Sequence, residues 1–422
     1  LTTKEAFASV IEFCRSSFPG WMIEPLQTQF TANLFNEHGE IKHIPYGAGT
    51  IKVGPLVEAA MSAGLPMVII SEAREQESHD AIQAELDYTI DRLGDAAAPG
   101  RPLDSGRVDF PERLRALPEG KNFSVAGLSR PLRVSNLDKP FFPDGYTKGD
   151  LIQYYASIAP VLLPHLSGRP ISMSRYPDGA GGPSFYEKRA PGHQPDWMST
   201  TPVPSDSQGS IEFLLADSRE ALMWFANMGC IEVHPFHSRE GSLERPDLAI
   251  FDFDPAEGSE WPQVVAGAKL LRVALDRLGL EGYPKLSGSK GLHVYLPIDP
   301  LYSHSRVRAF VEAVGRYLVA ANPDDLTMEW DVPRRKGRVF IDHNRNAFGQ
   351  TIASVYSVRP LPGAPVSVPV SWDEVGTMEN GDVTIANVWD RLHRFGDLFA
   401  PAVRQGQRLE DAERAIGLEV EA

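Results

Sequence analysis

Hydrophobic and polar positions alternate with strand and helix periods along most of the chain. Short runs rich in β-branched and aromatic residues predict strands at 171–176, 184–189, 230–234, 248–255 and 338–342. Apolar residues at helical spacing predict helices over 148–158, 218–228, 261–278 and 305–320. Together these elements predict one compact domain of the α/β (α+β) class over residues 123–375.

The segments on either side of this domain have different patterns. Residues 1–95 carry helical periodicity at 4–16, 57–63 and 80–93 and a fully apolar strand at 67–71, which predicts an α/β unit with a buried parallel sheet. Residues 96–122 are rich in Pro, Gly and charge, which is typical of a linker. Helices are predicted near 372–377 and 385–395, and residues 376–422 are interpreted as C-terminal helices with an acidic tail.

Composition narrows the class of protein. A chain of 422 residues can bury a sizeable core in two or more domains, and its hydrophobic fraction of 42% is ordinary for a globular protein. It has no apolar run long enough to span a bilayer and no signal-peptide layout at its start. Its two cysteines, Cys14 and Cys230, lie far apart without metal-ligand spacing, so we expect a cytoplasmic protein without a disulfide framework.

The net charge of −15 is unevenly distributed. Residues 1–100 contain 6 Lys and Arg against 14 Asp and Glu, a net charge of −8, whereas residues 121–200 contain 9 against 6, a net charge of +3. A local basic surface can hold phosphates even in an acidic chain. The overall charge is therefore weak evidence against nucleic-acid binding.

Three aspartates at predicted strand ends are the main candidate chemistry. Asp252 and Asp254 alternate with two phenylalanines, so both carboxylates lie on one face of their strand. Asp342 ends another apolar strand. Paired carboxylates suit Mg²⁺ or Mn²⁺, and phosphoryl transfer often uses two such ions. The alternative is a set of strand-end carboxylates that point into water.

The turn at residues 286–296 is a candidate phosphate site. Gly288 and Gly291 allow backbone N–H groups to approach an anion, and Ser287 adds a hydroxyl donor. Lys290 supplies positive charge, and His293 begins the next strand. The pattern is not a P-loop, because GxxxxGK[ST] is absent. The alternative is a surface turn with an exposed lysine.

The order of these motifs resembles the archaeo-eukaryotic primase superfamily, and more closely the polymerase domain of bacterial end-joining DNA ligases and its stand-alone relatives. The matching runs are collinear: SNLDKPFFP, TKGDLIQYY, GRPISMSRYPDG, SFYEKRAPGH, MGCIEVHPFHSR, DLAIFDFDP, KLSGSKGLHVYLP, RVFIDHNRNAFGQTIASVYSVR and PVSVPVSWDEV. The resemblance implies mixed and antiparallel sheets around a cleft. It also implies a Mn²⁺- or Mg²⁺-dependent primase-polymerase that adds nucleotides, with ribonucleotides preferred, to primer 3′ ends in short-gap filling or end processing.

The resemblance also assigns roles to individual residues. It implies that Asp252, Asp254 and Asp342 are the catalytic metal ligands, and that Ser287, Lys290, His293, His234 and Arg359 bind the nucleotide. Phe185 and Tyr186 match an aromatic pair that stacks on the template, and Lys139 and Lys148 match positions that bind a 5′-phosphate. Arg175 and Lys188 complete the predicted DNA-binding set.

The chain departs from the family pattern at three positions and in its domain content. Ser174 stands where the ligase-attached members have a lysine, and Arg345 and Gln350 differ from the residues expected beside the third aspartate. The ligase lysine motif is absent, so sealing would need a separate ATP-dependent DNA ligase. The expected partners are therefore DNA, nucleoside triphosphates, such a ligase and an end-binding protein, at the bacterial nucleoid and not at a membrane.

Residues 1–95 carry a second resemblance, to the last part of a xylose isomerase-like barrel related to endonuclease IV. By that resemblance His43 and Glu72 fall on metal-ligand positions, while Ile41 replaces an aspartate ligand. Two alternative functions follow. One is a barrel-type metal-dependent endonuclease or isomerase, although 95 residues supply only part of a barrel. The other is a non-catalytic DNA-end binding module.

Overall fold

The structure is a computed structural model. It describes residues 22–26, 31–35, 41–44, 122–124, 130, 132–205, 208–404 and 406–418. The chain divides into two compact units, Leu1–Ser105 and Gly106–Ala422.

The first unit contains a three-stranded antiparallel sheet. Its strands are β1 (Met22–Leu26), β2 (Thr31–Phe35) and β3 (Ile41–Ile44), in that order. Strands of a β/α barrel run parallel, so this meander differs from the arrangement that the barrel resemblance implies. The elements predicted at 4–16, 57–63, 67–71 and 80–93 lie outside the described residues, and the barrel-like fragment stays a prediction.

The second unit contains the remaining described strands. They are β4 (Asn122–Ser124), β5 (Arg133–Ser135), β6 (Pro170–Arg175), β7 (Phe185–Glu187), β8 (Thr200–Ser205), β9 (Gly209–Leu215), β10 (Cys230–Pro235), β11 (Leu248–Pro255), β12 (Tyr283–Leu286), β13 (Leu292–Pro297), β14 (Leu326–Thr327) and β15 (Val339–Ile341). β4 and β5 pair with each other. The others form two five-stranded sheets, which agrees with the predicted mixed α/β class.

The two five-stranded sheets differ in pairing. The first has the order β10-β6-β9-β8, with β7 also on β6, and every pair is antiparallel. The second has the order β12-β13-β11-β15-β14, and only β14 and β15 run parallel. β8, which the hydrophobic pattern did not predict, is an edge strand. Its Pro202 and Pro204 lack N–H groups, which an edge strand tolerates.

The central strand β11 buries its two phenylalanines on one face and turns its two aspartates to the other. Phe251 and Phe253 are fully buried on one face, and burial of each contributes roughly 1.5–3 kcal/mol to the free energy of unfolding. A helix crosses closely over them, because a Cβ atom on its Gly267 would lie 3.0 Å from the Phe253 ring. The strand period then places Asp252 and Asp254 on the opposite face.

Helices cover the sheets. They are α1 (Lys148–Leu166), α2 (Arg219–Asn227), α3 (Trp261–Arg277), α4 (His304–Ala321), α5 (Val388–Phe395) and α6 (Glu410–Ala415). α1 begins as predicted, with a capping box in which Thr147 accepts from the Asp150 N–H and Asp150 accepts from the Thr147 N–H. Its predicted end at residue 158 is wrong. The helix continues through Pro160 because residues beyond it, such as Leu162, are buried in the core.

The C-terminal part differs from its predicted pattern. Residues 371–377 form hydrogen-bonded turns instead of a helix, with the Glu374 N–H donating to the Ser371 carbonyl. Glu374 also pairs with Arg391 of α5 at 2.5 Å, which ties the turns to that helix. None of the described helices is long and apolar enough to cross a membrane.

Candidate functional site

A cavity of about 350 Å³ lies between the two five-stranded sheets. Its walls come from β7 and β10 of one sheet, from β11 and β13 of the other, and from the loops that follow β12 and β15. Most of the residues predicted for catalysis and nucleotide binding line it. They are Asp252, Asp254, Ser287, Lys290, His293, His234 and Arg359, together with Tyr186 and Lys188 from the predicted DNA-binding set.

Asp252 and Asp254 line this cavity, and Asp342 lies next to Asp252 on the neighbouring strand end. Asp252 is 6% exposed and Asp342 is 8% exposed, and the Asp342 N–H donates to the Asp252 carbonyl at 3.0 Å. Asp254, two positions further along β11, has a side chain that is 53% exposed. The fold therefore makes these three carboxylates neighbours, although Asp254 faces water more than the other two, and their role as metal ligands stays a prediction.

Burial has the largest effect on the pKa values of the two aspartates that line the cavity. Desolvation, together with the charges of Asp254 and Asp342, raises the pKa of Asp252 to about 6 against the opposing effect of Arg345. Desolvation also raises the pKa of Asp254, which Arg335 at 3.9 Å opposes. The carboxylates are therefore short of positive charge, which is the condition that a bound cation relieves.

Arg345 supplies the closest positive charge. Its Nε lies 3.2 Å from Oδ2 of Asp252 and 3.3 Å from Oδ2 of Asp342, so one guanidinium bridges two candidate metal ligands. The donor set of three carboxylates fits Mg²⁺ or Mn²⁺ by its chemistry. As the side chains lie, however, no three His, Cys, Asp or Glu residues of the described ranges are assembled to hold a metal ion.

His293 lies beside Asp252 on the neighbouring strand β13. It pairs in register with Asp252 on β11, and its Nε2 lies 3.5 Å from the Asp252 carboxylate. Its Nδ1 is buried without a hydrogen-bond partner in the described structure. Desolvation, with the charge of Lys285 next, places the pKa of His293 well below its usual range, so the ring is neutral near pH 7.

The turn after β12 has the shape expected of a phosphate cradle but a different hydrogen-bond pattern. The Ser287 hydroxyl accepts from the N–H groups of Ser289 at 3.1 Å and Gly291 at 3.0 Å, so these donors point inward. The prediction that the glycine turn offers its N–H groups to an anion is therefore wrong for these donors. Lys290 is exposed at the cavity and makes no ion pair within the described part of the chain, so its ammonium is the free cation of the turn.

Two glycines fix the shape of this turn. Gly288 has φ +73° and lies where a Cβ atom would approach the Arg359 side chain at 2.8 Å. A Cβ atom on Gly291 would lie 2.3 Å from the Phe253 carbonyl oxygen of β11. Backbone that close leaves no room for a side chain, so the turn is pressed against the strand that carries the aspartates.

Asn380 holds the turn from the far side, and the sequence pattern missed it. Its side-chain oxygen accepts from the Gly288 N–H at 2.7 Å, and its side-chain amide donates to the Gly291 carbonyl at 3.0 Å. Asn380 lies beyond the predicted domain boundary at residue 375, so the C-terminal segment contributes to the wall of this site. No local signal marks this asparagine among the other turn residues.

Glu232 is a second residue that the sequence analysis missed. It is buried on β10, and its carboxylate lies 2.8 Å from Nε of Arg359 and 3.8 Å from Nε2 of His234. Burial alone would raise the pKa of Glu232, but His234 and Arg359 lower it to about 2. The Glu-x-His alternation, which puts both side chains on one face of a strand, was the available signal.

Lys285 is the third such residue. It is fully buried beside His293 in the β12–β13 register, and its ammonium donates to the Ala353 carbonyl at 3.0 Å. Burial places its pKa well below the usual value for lysine. Nothing in the local sequence separates it from a surface lysine.

The aromatic pair on β7 is exposed as the stacking role requires. Phe185 is 46% exposed and Tyr186 is 45% exposed, so neither is a core residue. The Arg175 guanidinium lies 5.0 Å from the Phe185 ring centre and also pairs with Glu187 at 2.7 Å. The Tyr186 ring contacts His234 edge-on at 5.4 Å, and its hydroxyl bonds Thr351.

The predicted DNA-binding lysines lie in different surroundings. Lys188 is exposed at the cavity, whereas Lys139 forms an ion pair with Asp178 at 2.8 Å. Lys148 is 6% exposed, and its ammonium donates to the Ser135 carbonyl at 2.8 Å. Burial and the charge of Lys139 lower the pKa of Lys148 to about 8, so Lys139 and Lys148 are electrostatic neighbours.

The described residues include little of the segment on which the barrel-type alternative depends. His43 lies on β3, where only the backbone is described, and Glu72 lies outside the described residues. The predicted ligand pair therefore remains a prediction.

Comparisons with known proteins match the second unit. Residues 147–399 match the family described as LigD, primase-polymerase domain. The multifunctional non-homologous end joining protein LigD of Mycolicibacterium smegmatis is 34% identical over 273 residues, which cover 64% of this chain. The bifunctional LigD of Bacillus subtilis is 32% identical over 280 residues.

A solved structure agrees with the sequence matches. The polymerase domain of Mycobacterium tuberculosis ligase D in complex with DNA superposes with a TM-score of 0.61 and 32% identity, covering 65% of this chain and 99% of that one. The curated relatives are longer than the matched region, since the match spans 36% of the M. smegmatis protein and 45% of the B. subtilis protein. The likeness therefore concerns one domain of those proteins.

Proposed function

The chain belongs to the LigD primase-polymerase domain family, and from that premise we propose that residues 123–375 form a metal-dependent DNA primase-polymerase. It adds nucleotides to primer 3′ ends, with ribonucleotides preferred, during short-gap filling or end processing in DNA repair. The observation that carries the proposal is that Asp252 and Asp254 line the same cavity as the exposed Lys290, while Asp342 bonds to Asp252 through its backbone N–H.

The three aspartates are the proposed ligands for Mn²⁺ or Mg²⁺. A divalent cation bound there would lower the pKa of the primer 3′-hydroxyl and neutralise charge that develops on the phosphates. The protein contributes the position of these carboxylates. The Asp342 N–H donates to the Asp252 backbone carbonyl, so β11 and the end of β15 hold two of the aspartates side by side.

The nucleotide is proposed to lie between the turn after β12 and the His234 side of the cavity. Lys290 attracts the triphosphate, and neutral His293 can donate or accept a hydrogen bond without adding charge. Arg359 is fixed between Glu232 at 2.8 Å and the Ser287 carbonyl at 3.2 Å, so its guanidinium is held at the cavity wall. This rigidity favours one orientation of the bound phosphates.

DNA is the proposed second substrate. Phe185 and Tyr186 present exposed rings that can stack on any base, and Lys188 lies beside them at the cavity. Lys148 is proposed to bind a 5′-phosphate across a gap. A separate ligase and an end-binding protein would complete the repair.

Primer extension on a short-gapped duplex with Mn²⁺ tests the proposal. We expect wild type to extend the primer faster with ribonucleotides than with deoxyribonucleotides. Asp252→Asn removes a proposed metal ligand and should slow extension by more than roughly 100-fold, the upper figure for residues that merely support a ligand.

The matched control is Asp373→Asn, the same change at a carboxylate whose side chain is 95% exposed and does not line the cavity, which should leave extension unchanged. Failure of wild type to extend with either metal would reject the polymerase proposal. Equal rates for wild type and Asp252→Asn would reject the assigned site.

A further inference from the structure

Arg345 lies where a divalent cation would have to bind. We propose that Arg345 is a built-in counter-cation of the aspartate cluster, and that Mn²⁺ or Mg²⁺ binds only by displacing its guanidinium. The inference rests on the proposed metal dependence and concerns how the site is regulated. It predicts that this arginine weakens metal binding in the free protein.

The contact geometry is the first step. One nitrogen, Nε of Arg345, lies 3.2 Å from Oδ2 of Asp252 and 3.3 Å from Oδ2 of Asp342. A metal ion that bridged these two aspartates would use the same oxygens and the same space between them. A unit positive charge at this distance also repels an approaching divalent cation.

The second step is that few other positively charged groups lie near the carboxylate oxygens of Asp252 and Asp342. Apart from Arg345, the described residues place one basic side chain within ion-pair distance of Asp252, the neutral His293, whose Nε2 lies 3.5 Å from the other oxygen, Oδ1. Arg335 lies 3.9 Å from Asp254 and not beside the bridged pair. Arg345 is therefore the group that keeps two buried carboxylates close together in the free protein.

The third step is that the side chain can move while its backbone stays fixed. Arg345 lies in the 3₁₀ turn His343–Asn346, which begins with the Asp342 side chain accepting from the Asn344 N–H. Asn346 anchors the other end through bonds of 2.8 Å to both backbone groups of Ile250. The Arg345 side chain itself is 40% exposed at the cavity, so its guanidinium can swing into solvent without unfolding the turn.

The test measures Mn²⁺ binding to the full chain without DNA or nucleotide, by electron paramagnetic resonance of free Mn²⁺. Arg345→Gln removes the charge, and Arg345→Lys keeps it. We expect the glutamine variant to bind Mn²⁺ roughly tenfold more tightly than wild type, and the lysine variant to stay within about twofold of wild type. Arg308→Gln is the charge-matched control, because Arg308 contacts Asn344 at 3.4 Å and none of the aspartates.

Thermal unfolding provides the second readout. Without Mn²⁺, Arg345→Gln should lower the Tm because two buried carboxylates lose their shared partner, and saturating Mn²⁺ should raise its Tm more than that of wild type. Unchanged or weaker Mn²⁺ binding by Arg345→Gln would overturn the inference while leaving the metal site intact. No Mn²⁺ binding by any of the proteins would overturn both the inference and the proposed metal dependence.

Discussion

Single side chains in this protein act through their partners as much as through their own chemistry. Glu232 illustrates this, because its carboxylate lies 2.8 Å from Nε of Arg359 and 3.8 Å from Nε2 of His234. Its pKa of about 2 keeps it ionised throughout the neutral range. Arg359 and His234, the proposed nucleotide-binding residues, therefore keep an ionised partner when pH changes.

Lys148 should make 5′-phosphate recognition depend on pH. Its pKa is about 8 because burial and Lys139 disfavour the charged form, so the ammonium loses its proton as pH rises through 8. The preference for gapped DNA with a 5′-phosphate over 5′-hydroxyl DNA should fall by roughly tenfold between pH 7 and pH 9. Fluorescence anisotropy at constant ionic strength measures this ratio.

The control for this prediction is Lys148→Met, which has no titratable group at that position. Its preference for the 5′-phosphate should be small and independent of pH. A wild-type preference that stays constant up to pH 9 would show that Lys148 does not bind the phosphate.

At the scale of elements, the cradle turn depends on a segment distant in sequence. Asn380 is 92 positions from Gly288 and forms hydrogen bonds with both ends of the turn. The Ser287 hydroxyl accepts hydrogen bonds from N–H groups inside the turn. The turn is thereby closed on itself and presents the Lys290 ammonium to the cavity. Its rigidity comes from the C-terminal segment and from the contact of Gly291 with β11.

Asn380→Ala should weaken nucleotide binding more than it slows chemistry. The change leaves the buried Gly288 N–H without a partner, a loss of roughly 1–3 kcal/mol, and lets the turn move away from the triphosphate. We expect the nucleotide KM to rise by roughly tenfold, with kcat within about threefold of wild type. Steady-state primer extension at varied nucleotide concentration separates the two constants.

Asn387→Ala is the matched control for this change. Asn387 accepts from the Thr384 N–H at 2.7 Å in the same segment and does not contact the turn. Its variant should keep the wild-type KM. An equal KM for wild type and Asn380→Ala would contradict the positioning role of Asn380.

At the scale of the whole molecule, the described candidate site lies within one of the two units. Each described residue of the cavity falls after Gly106, and the family match covers residues 147–399. The basic excess of residues 121–200 also belongs to this unit, whereas the first 100 residues carry a net charge of −8. Affinity for DNA phosphates should therefore come from the second unit.

A chain that begins at Gly106 should retain primer extension. Because the described site residues and their hydrogen-bond partners lie in the second unit, we expect its kcat/KM to stay within about threefold of the full chain. Circular dichroism would first establish that the shorter chain is folded. A folded chain without extension activity would assign the first unit a direct part in catalysis.

The sequence by itself determined which local elements form and which side chains share a face. The period of two on β11 placed Asp252 and Asp254 opposite the buried Phe251 and Phe253, and the glycine turn was visible as a local signal. These features depend on interactions between residues close in sequence, which is why a pattern can predict them.

Only the tertiary structure decided which distant residues meet. Arg345 reaches Asp252 across 93 positions, and Asn380 reaches Gly288 across 92. Glu232 meets Arg359 because the segment before Arg359 is bonded to β10, where the Ser354 N–H donates to the Val233 carbonyl at 2.9 Å. The tertiary structure also decided that helix α1 continues past Pro160 and Pro164, since burial of its later turns outweighs the two N–H donors that these prolines lack. Such pairings depend on the packing of whole elements, and that information is not contained in any local stretch of sequence.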